Sequence, residues 1–215
     1  SYLSVFAEIF QEAIWFDCNV VKPCFRTFVR HSKKADILTT EELNIFFKEG
    51  NFPNEMMYLF FLLCLSAGMR LGEVRAVRVQ QLVFSKKIII INGFCKQNGE
   101  RTGYNKTGSV DQPKFRIAYL PDDTVDKMQK WIDSCGLSDD DFCFTQNGKP
   151  VRAEYAEKVF YRALQKIGLI PYGKGTKRLA PADGRKLVPH SLRYTYVSRM
   201  RRVMSAEDLK NYTGH

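Results

Sequence analysis

The sequence predicts an α+β fold, mostly helical with one small antiparallel sheet, on three observations. Apolar residues recur at helical spacing, or fill whole helical stretches, along most of the chain. One β-branched block, Ile88-Ile89-Ile90-Ile91, is followed by a polar, Gly-rich stretch and an apolar return segment, the pattern of a hairpin. At 215 residues with ordinary apolar content, the chain can bury a real core for one full domain.

Each element follows from a local signal. Leu3, Phe6, Phe10, Ala13 and Ile14 predict an amphipathic helix over 3–17. Residues 21–35, with Pro23, Arg26, Arg30, His31, Lys33 and Lys34, read as a basic linker. Thr39 and Glu42 form a capping box that opens a helix over 40–48. The stretch 54–67 is apolar nearly all round and therefore central to a core, with Gly68 as its left-handed stop. A further helix starts near Leu71. Ile88–Ile91 and 115–120 are the two arms of a hairpin with a long tip over 92–113. Pro121-Asp122-Asp123 opens a helix that ends before Gly136, and Asn147-Gly148 makes a turn. A helix over 152–167 stops at Gly168, a basic loop runs from Pro171 to Pro189, and helices over 190–202 and 205–212 close the chain.

Composition narrows the classes. The longest apolar run, Met56 to Met69, is shorter than the roughly 20 residues of a bilayer span, and the N-terminus lacks a charged leader followed by an apolar stretch. Six cysteines (Cys18, Cys24, Cys64, Cys95, Cys135 and Cys143) show neither CxxC spacing nor paired clusters, and most, such as Cys64 and Cys143 in apolar settings, fit small core residues in a reducing compartment. Three histidines without ligand spacing argue against zinc. The net charge of +10 favours a polyanionic partner. That charge is segregated: Lys174, Lys177, Arg178, Arg185, Lys186, Arg193, Arg199, Arg201 and Arg202 meet only Asp183, whereas 122–141 is rich in aspartate. Lys174, Lys177, Arg178 and Arg185 are the expected nucleic-acid contacts.

Five residues could grip one phosphodiester: Arg70 in Ala67-Gly68-Met69-Arg70-Leu71-Gly72-Glu73, Lys106 in Asn105-Lys106-Thr107-Gly108, His190 and Arg193 in His190-Ser191-Leu192-Arg193-Tyr194-Thr195, and His215 after Gly214. Taken singly, each has an ordinary explanation: a helix-start arginine pairing with Glu73, a solvated lysine in a hairpin tip, a polar residue opening a helix. Two features argue further. His190 and Arg193 lie three apart on one helical face, and together the five supply the positive charge a metal-free phosphoryl-transfer site needs.

In this order the set resembles the tyrosine recombinase family of phage and transposon integrases. That family's first box reads roughly TGxRxGE, matched around Arg70 and Glu73; its hairpin lysine often reads KTG, matched by Lys106-Thr107-Gly108. Its second box, HxLRHT, is matched by His190, Leu192, Arg193 and Thr195, and its third, LGH, by Gly214-His215. Leu38-Thr39-Thr40-Glu41-Glu42 also resembles the usual start of the catalytic domain. Tyr194 stands where the family mostly has histidine and Thr213 where leucine is usual, and Lys96 or Lys114 competes with Lys106 for the active position.

The resemblance implies the tyrosine recombinase fold, with 1–35 as the tail of a core-binding domain plus linker and 36–215 as the catalytic domain. It implies an enzyme that cuts and rejoins double-stranded DNA through a 3′-phosphotyrosyl intermediate, without metal or other cofactor, acting in the cytoplasm at the nucleoid. Arg70 and Arg193 would hold phosphate oxygens, Lys106 would protonate the leaving 5′-oxygen, His190 would accept the nucleophile's proton or orient the phosphate, His215 would add a hydrogen bond, and Glu73 would buttress the arginines. The family's nucleophilic tyrosine lies beyond the third box, so this chain is expected to end before it and to bind DNA as a monomer without cutting it. The full-length protein is expected to act as a tetramer. A non-catalytic DNA-binding relic or regulator, and a type IB topoisomerase, are the alternatives.

Overall fold

The computed structural model describes residues 35–105, 108–171, 181 and 183–213, the side chains of 210 and 211 excepted. The expected helix over 3–17 and nearly all of the basic linker lie outside these residues. Seven α-helices and five short strands follow in order among the described residues: α1 (Thr40–Phe46), α2 (Glu55–Ser66), α3 (Leu71–Arg75), β1 (Leu82–Val83), β2 (Ile88–Ile91), β3 (Arg116–Tyr119), α4 (Asp122–Cys135), β4 (Thr145–Gln146), β5 (Lys149–Pro150), α5 (Ala153–Lys166), α6 (His190–Met200) and α7 (Ala206–Thr213). The mostly helical architecture with small antiparallel sheets is the one the sequence predicts.

The local signals act as expected. The Thr39 hydroxyl accepts from the Glu42 amide at 3.2 Å while Glu42 Oε2 accepts from the Thr39 amide at 2.8 Å, closing the capping box of α1. Asn54 caps α2 by accepting from the Met57 amide at 3.0 Å. Helix α2 is buried on most of its circumference through Met56, Met57, Leu59, Phe60, Phe61, Leu63 and Cys64. It forms the centre of the core, packed against α4 and α6. Each fully buried Phe or Leu there contributes roughly 1.5–3 kcal/mol. Phe46, Phe52, Phe61 and Phe160 meet at ring-centroid distances of 5.2 to 6.4 Å and bind α1, α2 and α5 into one aromatic cluster.

The first sheet has order β1-β2-β3, all antiparallel, with Ile88 opposite Tyr119 and Ile91 opposite Arg116. Ile89, Ile91, Arg116 and Ala118 face the core, and Ile117 and Tyr119 face outward. A charged side chain on the inner face is the one departure from a purely apolar pattern. The turn at Asn147-Gly148 has positive φ at both residues, 52° and 72°, and joins the two-residue strands β4 and β5. Those strands and β1 are too short for periodicity to show.

Candidate active site

The chain turns at Gly68, where α2 stops in the left-handed conformation (φ 56°), and Arg70 then opens α3. Glu73, one helical turn on, is almost completely buried. Its carboxylate accepts from the Arg70 amide at 2.9 Å, from Arg70 Nη1 at 2.8 Å and from Arg116 Nη2 at 2.7 Å. Burial pushes this carboxyl up, but Arg116, the Arg70 amide and the Arg70 guanidinium together outweigh burial and hold it below its ordinary value. Glu73 therefore stays ionised and fixes Arg70 from behind.

Arg193 reaches the same turn from α6, 125 residues away in sequence. Its Nη1 donates to the Gly68 carbonyl, and its Nη2 donates to the Thr213 carbonyl at 2.6 Å. Burial and the nearby guanidiniums of Arg70 and Arg116 pull its pKa down to about 10, which leaves it charged at neutral pH. Arg70, Arg116 and Arg193 thus lie within electrostatic reach of one another around the carboxylate of Glu73.

His190 is the first residue of α6, and its ring stands edge-on to Tyr194 at 4.8 Å. It shares with Arg70 a cleft of about 590 Å³ that is also lined by the segment Phe94–Gln97. That segment is held against α3: the Cys95 amide donates to the Gly72 carbonyl at 2.8 Å, and the buried Arg75 donates to Val151 O, Cys95 O and Lys96 O at 2.6, 3.3 and 3.1 Å. His190 thus lines this cleft, while Arg193, one turn on, reaches the Gly68 turn.

Lys106, His215, Lys174, Lys177 and Arg178 lie outside the described residues. Of the lysines competing with Lys106, Lys96 is exposed and pairs with Glu100 at 3.1 Å. Lys114 is exposed, and its carbonyl accepts from the Asn105 amide at 3.0 Å. Arg185, expected as a DNA contact, is engaged by carboxylates of the protein itself. Its fork grips both oxygens of Glu42 and Asp183 Oδ2, and its Nη1 also donates to Ile37 O at 3.2 Å. Its charge ties the loop before α6 to the start of α1, because a planar guanidinium satisfies two carboxylates at once.

Tyr196 and Tyr212 are packed against neighbouring elements. The Tyr196 ring lies on Gly68, and the Tyr212 ring stacks on Tyr119 with its hydroxyl accepting from the Tyr119 amide. Arg116 was not among the residues the sequence singled out. Its signal was available: a charged residue in phase with the inward-facing Ala118 of the return strand.

Among the described residues no group of three or more His, Cys, Asp or Glu side chains is placed to hold a metal ion, and no helix is long and apolar enough to cross a membrane.

Comparison with known proteins gives a consistent picture. The family model described as the phage integrase family matches residues 37–215. Among solved structures, the Tn1549 transposon integrase in complex with transposon right end DNA is similar at a TM-score of 0.70 and 20% identity, covering 97% of this chain and 68% of that one. XerA recombinase is similar at a TM-score of 0.62 and 17% identity, covering 100% and 68%. A lambda integrase tetramer bound to a Holliday junction is similar at a TM-score of 0.65 and 15% identity, covering 99% and 56%. At these identities the likeness is one of fold. A search of the curated proteins finds no match.

Proposed function

Because this chain belongs to the phage integrase family, we propose that residues 36–215 form the catalytic domain of a site-specific DNA recombinase and that the Gly68–Glu73 turn binds the scissile phosphate. The observation that carries this reading is the convergence of Arg70 and Arg193 on that turn. In the reaction a tyrosine oxygen attacks phosphorus, an oxygen–phosphorus bond forms, and the bond to the 5′-oxygen breaks. Phosphoester bond energy is conserved in the 3′-phosphotyrosyl link.

Negative charge then grows on the non-bridging oxygens, and fixed cationic donors offset it without reorganisation. Arg70 suits this role because Glu73 holds it in place, and Arg193 brings a second charge in a nearly dry setting where each charge acts more strongly. His190, in the cleft beside Arg70, accepts the nucleophile's proton or orients the phosphate. Lys106 protonates the departing 5′-oxygen, and His215 adds a hydrogen bond to the phosphate; their support is the sequence motif. Lys174, Lys177 and Arg178 contact the DNA backbone.

The Tyr212 hydroxyl already accepts the Tyr119 amide, and Tyr196 is packed under Gly68, so neither suits the attacking role. The polypeptide should bind duplex DNA without Tyr196 or Tyr212 becoming joined to it. Incubation with nicked suicide duplexes followed by denaturing gels tests this, and a protein–DNA band from the polypeptide would assign the nucleophile to one of its own tyrosines. A tetramer on DNA is proposed for the full-length protein, supported by the lambda integrase tetramer on a Holliday junction.

A further inference from the structure

We infer that Arg116 is a positioning residue, locking the Arg70–Glu73 pair to the end of α7 and so setting the geometry of the phosphate site. This rests on the recombinase reading but assigns a residue outside the five motif positions.

Arg116 opens β3, the strand that returns from the hairpin tip, and faces inward on the sheet at 6% exposure. A buried guanidinium persists only when its charge and donors are met. Its Nη2 donates to Glu73 Oε2 at 2.7 Å and to Gly68 O at 3.4 Å; its Nη1 donates to Ala67 O at 3.5 Å and Tyr212 O at 3.4 Å. Its Nε is buried without a hydrogen-bond partner. The side chain is thus placed for what its terminal nitrogens reach, at the expense of the third.

Those partners belong to three separate pieces of the site. Ala67 and Gly68 are the last carbonyls at the C-terminal end of α2, and Tyr212 lies in the last turn of α7. Helix C-termini carry partial negative charge from unsatisfied carbonyls, so a cation between two of them is favoured by both. Arg193 makes the same kind of bridge, from Gly68 O to Thr213 O. Two guanidiniums therefore clasp the end of α7, which leads directly into Gly214-His215, against the turn that carries Arg70. Arg116 also bonds Glu73, and so transmits the position of β3 to the residue that holds Arg70. A lysine could keep the Glu73 pair but not the fork across three carbonyls.

The test is single-turnover cleavage of a nicked suicide duplex by the full-length protein, with the cleavage rate constant and the half-saturating DNA concentration measured separately. Arg116→Gln is expected to lower the rate constant by about 100-fold, since misplacement on the order of 1 Å costs that much, with half-saturation nearly unchanged. Arg116→Lys should fall between Arg116→Gln and the unsubstituted protein. Arg116→Gln combined with Glu73→Gln should cost little more than the worse single variant, because both break one linkage. An unchanged rate constant in Arg116→Gln, a loss confined to half-saturation, or full additivity with Glu73→Gln overturns the inference. If Arg116→Gln does not fold, as judged by circular dichroism, Arg116→Lys decides, and a rate constant equal to that of the unsubstituted protein overturns it. Failure of the unsubstituted protein to form any adduct removes the recombinase reading, and this inference with it.

Discussion

The ring of Tyr196 occupies the space a side chain on Gly68 would need: a β-carbon built at residue 68 would lie 2.3 Å from Tyr196 Cδ1. The glycine also has a φ of 56°, where L side chains are strained. Helix α6, which carries His190 and Arg193, is thereby seated directly on the turn that precedes Arg70. Gly68→Ala should destabilise the protein by about 2–4 kcal/mol, combining overpacking with left-handed strain. Urea unfolding measures this, and an unchanged midpoint would show that the contact is not close in solution.

Arg70→Lys retains the charge but loses the fork that pairs with Glu73 and, in the proposed role, would also reach a phosphate oxygen. Cleavage by the full-length protein should drop by about 10²–10³, the cost of removing one preorganised donor, while DNA affinity stays within a few-fold. Equal losses in affinity and rate would instead make Arg70 a simple electrostatic contact.

Stability should depend on the ionisation of Glu73. Its folded pKa lies below the ordinary value of 4.5. The unfolded chain therefore takes up this proton first as pH falls. The contribution is fully present above about pH 4.5 and is lost as pH drops through the lower folded value. Glu42 and Asp183, both lowered through Arg185, act in the same direction. Glu73→Gln should cost about 3–5 kcal/mol at neutral pH, because it leaves Arg116 buried without its counter-charge, and should flatten the acid limb of the stability profile. Denaturant midpoints between pH 7 and 3 test both, and an unaltered acid limb in the variant would assign the loss to other carboxylates.

Two neighbouring basic residues should behave differently. Lys177→Ala should reduce the salt dependence of DNA binding by about one unit in the slope of log K against log salt. Arg185→Ala should leave that slope unchanged and instead lower thermal stability, since its guanidinium is engaged by Glu42 and Asp183. Fluorescence anisotropy across a salt series, paired with thermal melts, separates the two. A slope change in Arg185→Ala would restore it to the DNA-facing surface.

Much of this molecule was readable before any coordinates. The capping box at Thr39, the all-apolar α2, the stop at Gly68 and the Ile88–Ile91 strand are local events, decided within one or two turns of chain. The ordered boxes around Arg70, Lys106, His190–Arg193 and His215 carried the family, because chemistry confines those residue types to fixed spacings. Less could be read where an element is too short for a period, as with β1, β4 and β5.

The amino-acid order alone determined which residues cap, turn and alternate, and which cationic groups a phosphate site would require. Only the folded chain decided where each charge is spent. Arg185 lies in a basic loop and Arg116 in an apolar strand; one binds Glu42 across 143 residues of sequence and the other Glu73 across 43. Strand alternation turns Arg116 inward, but nothing local says which carboxylate either guanidinium will meet. The choice depends on which carboxylate and which helix ends the core brings within reach, and that is a property of long-range packing.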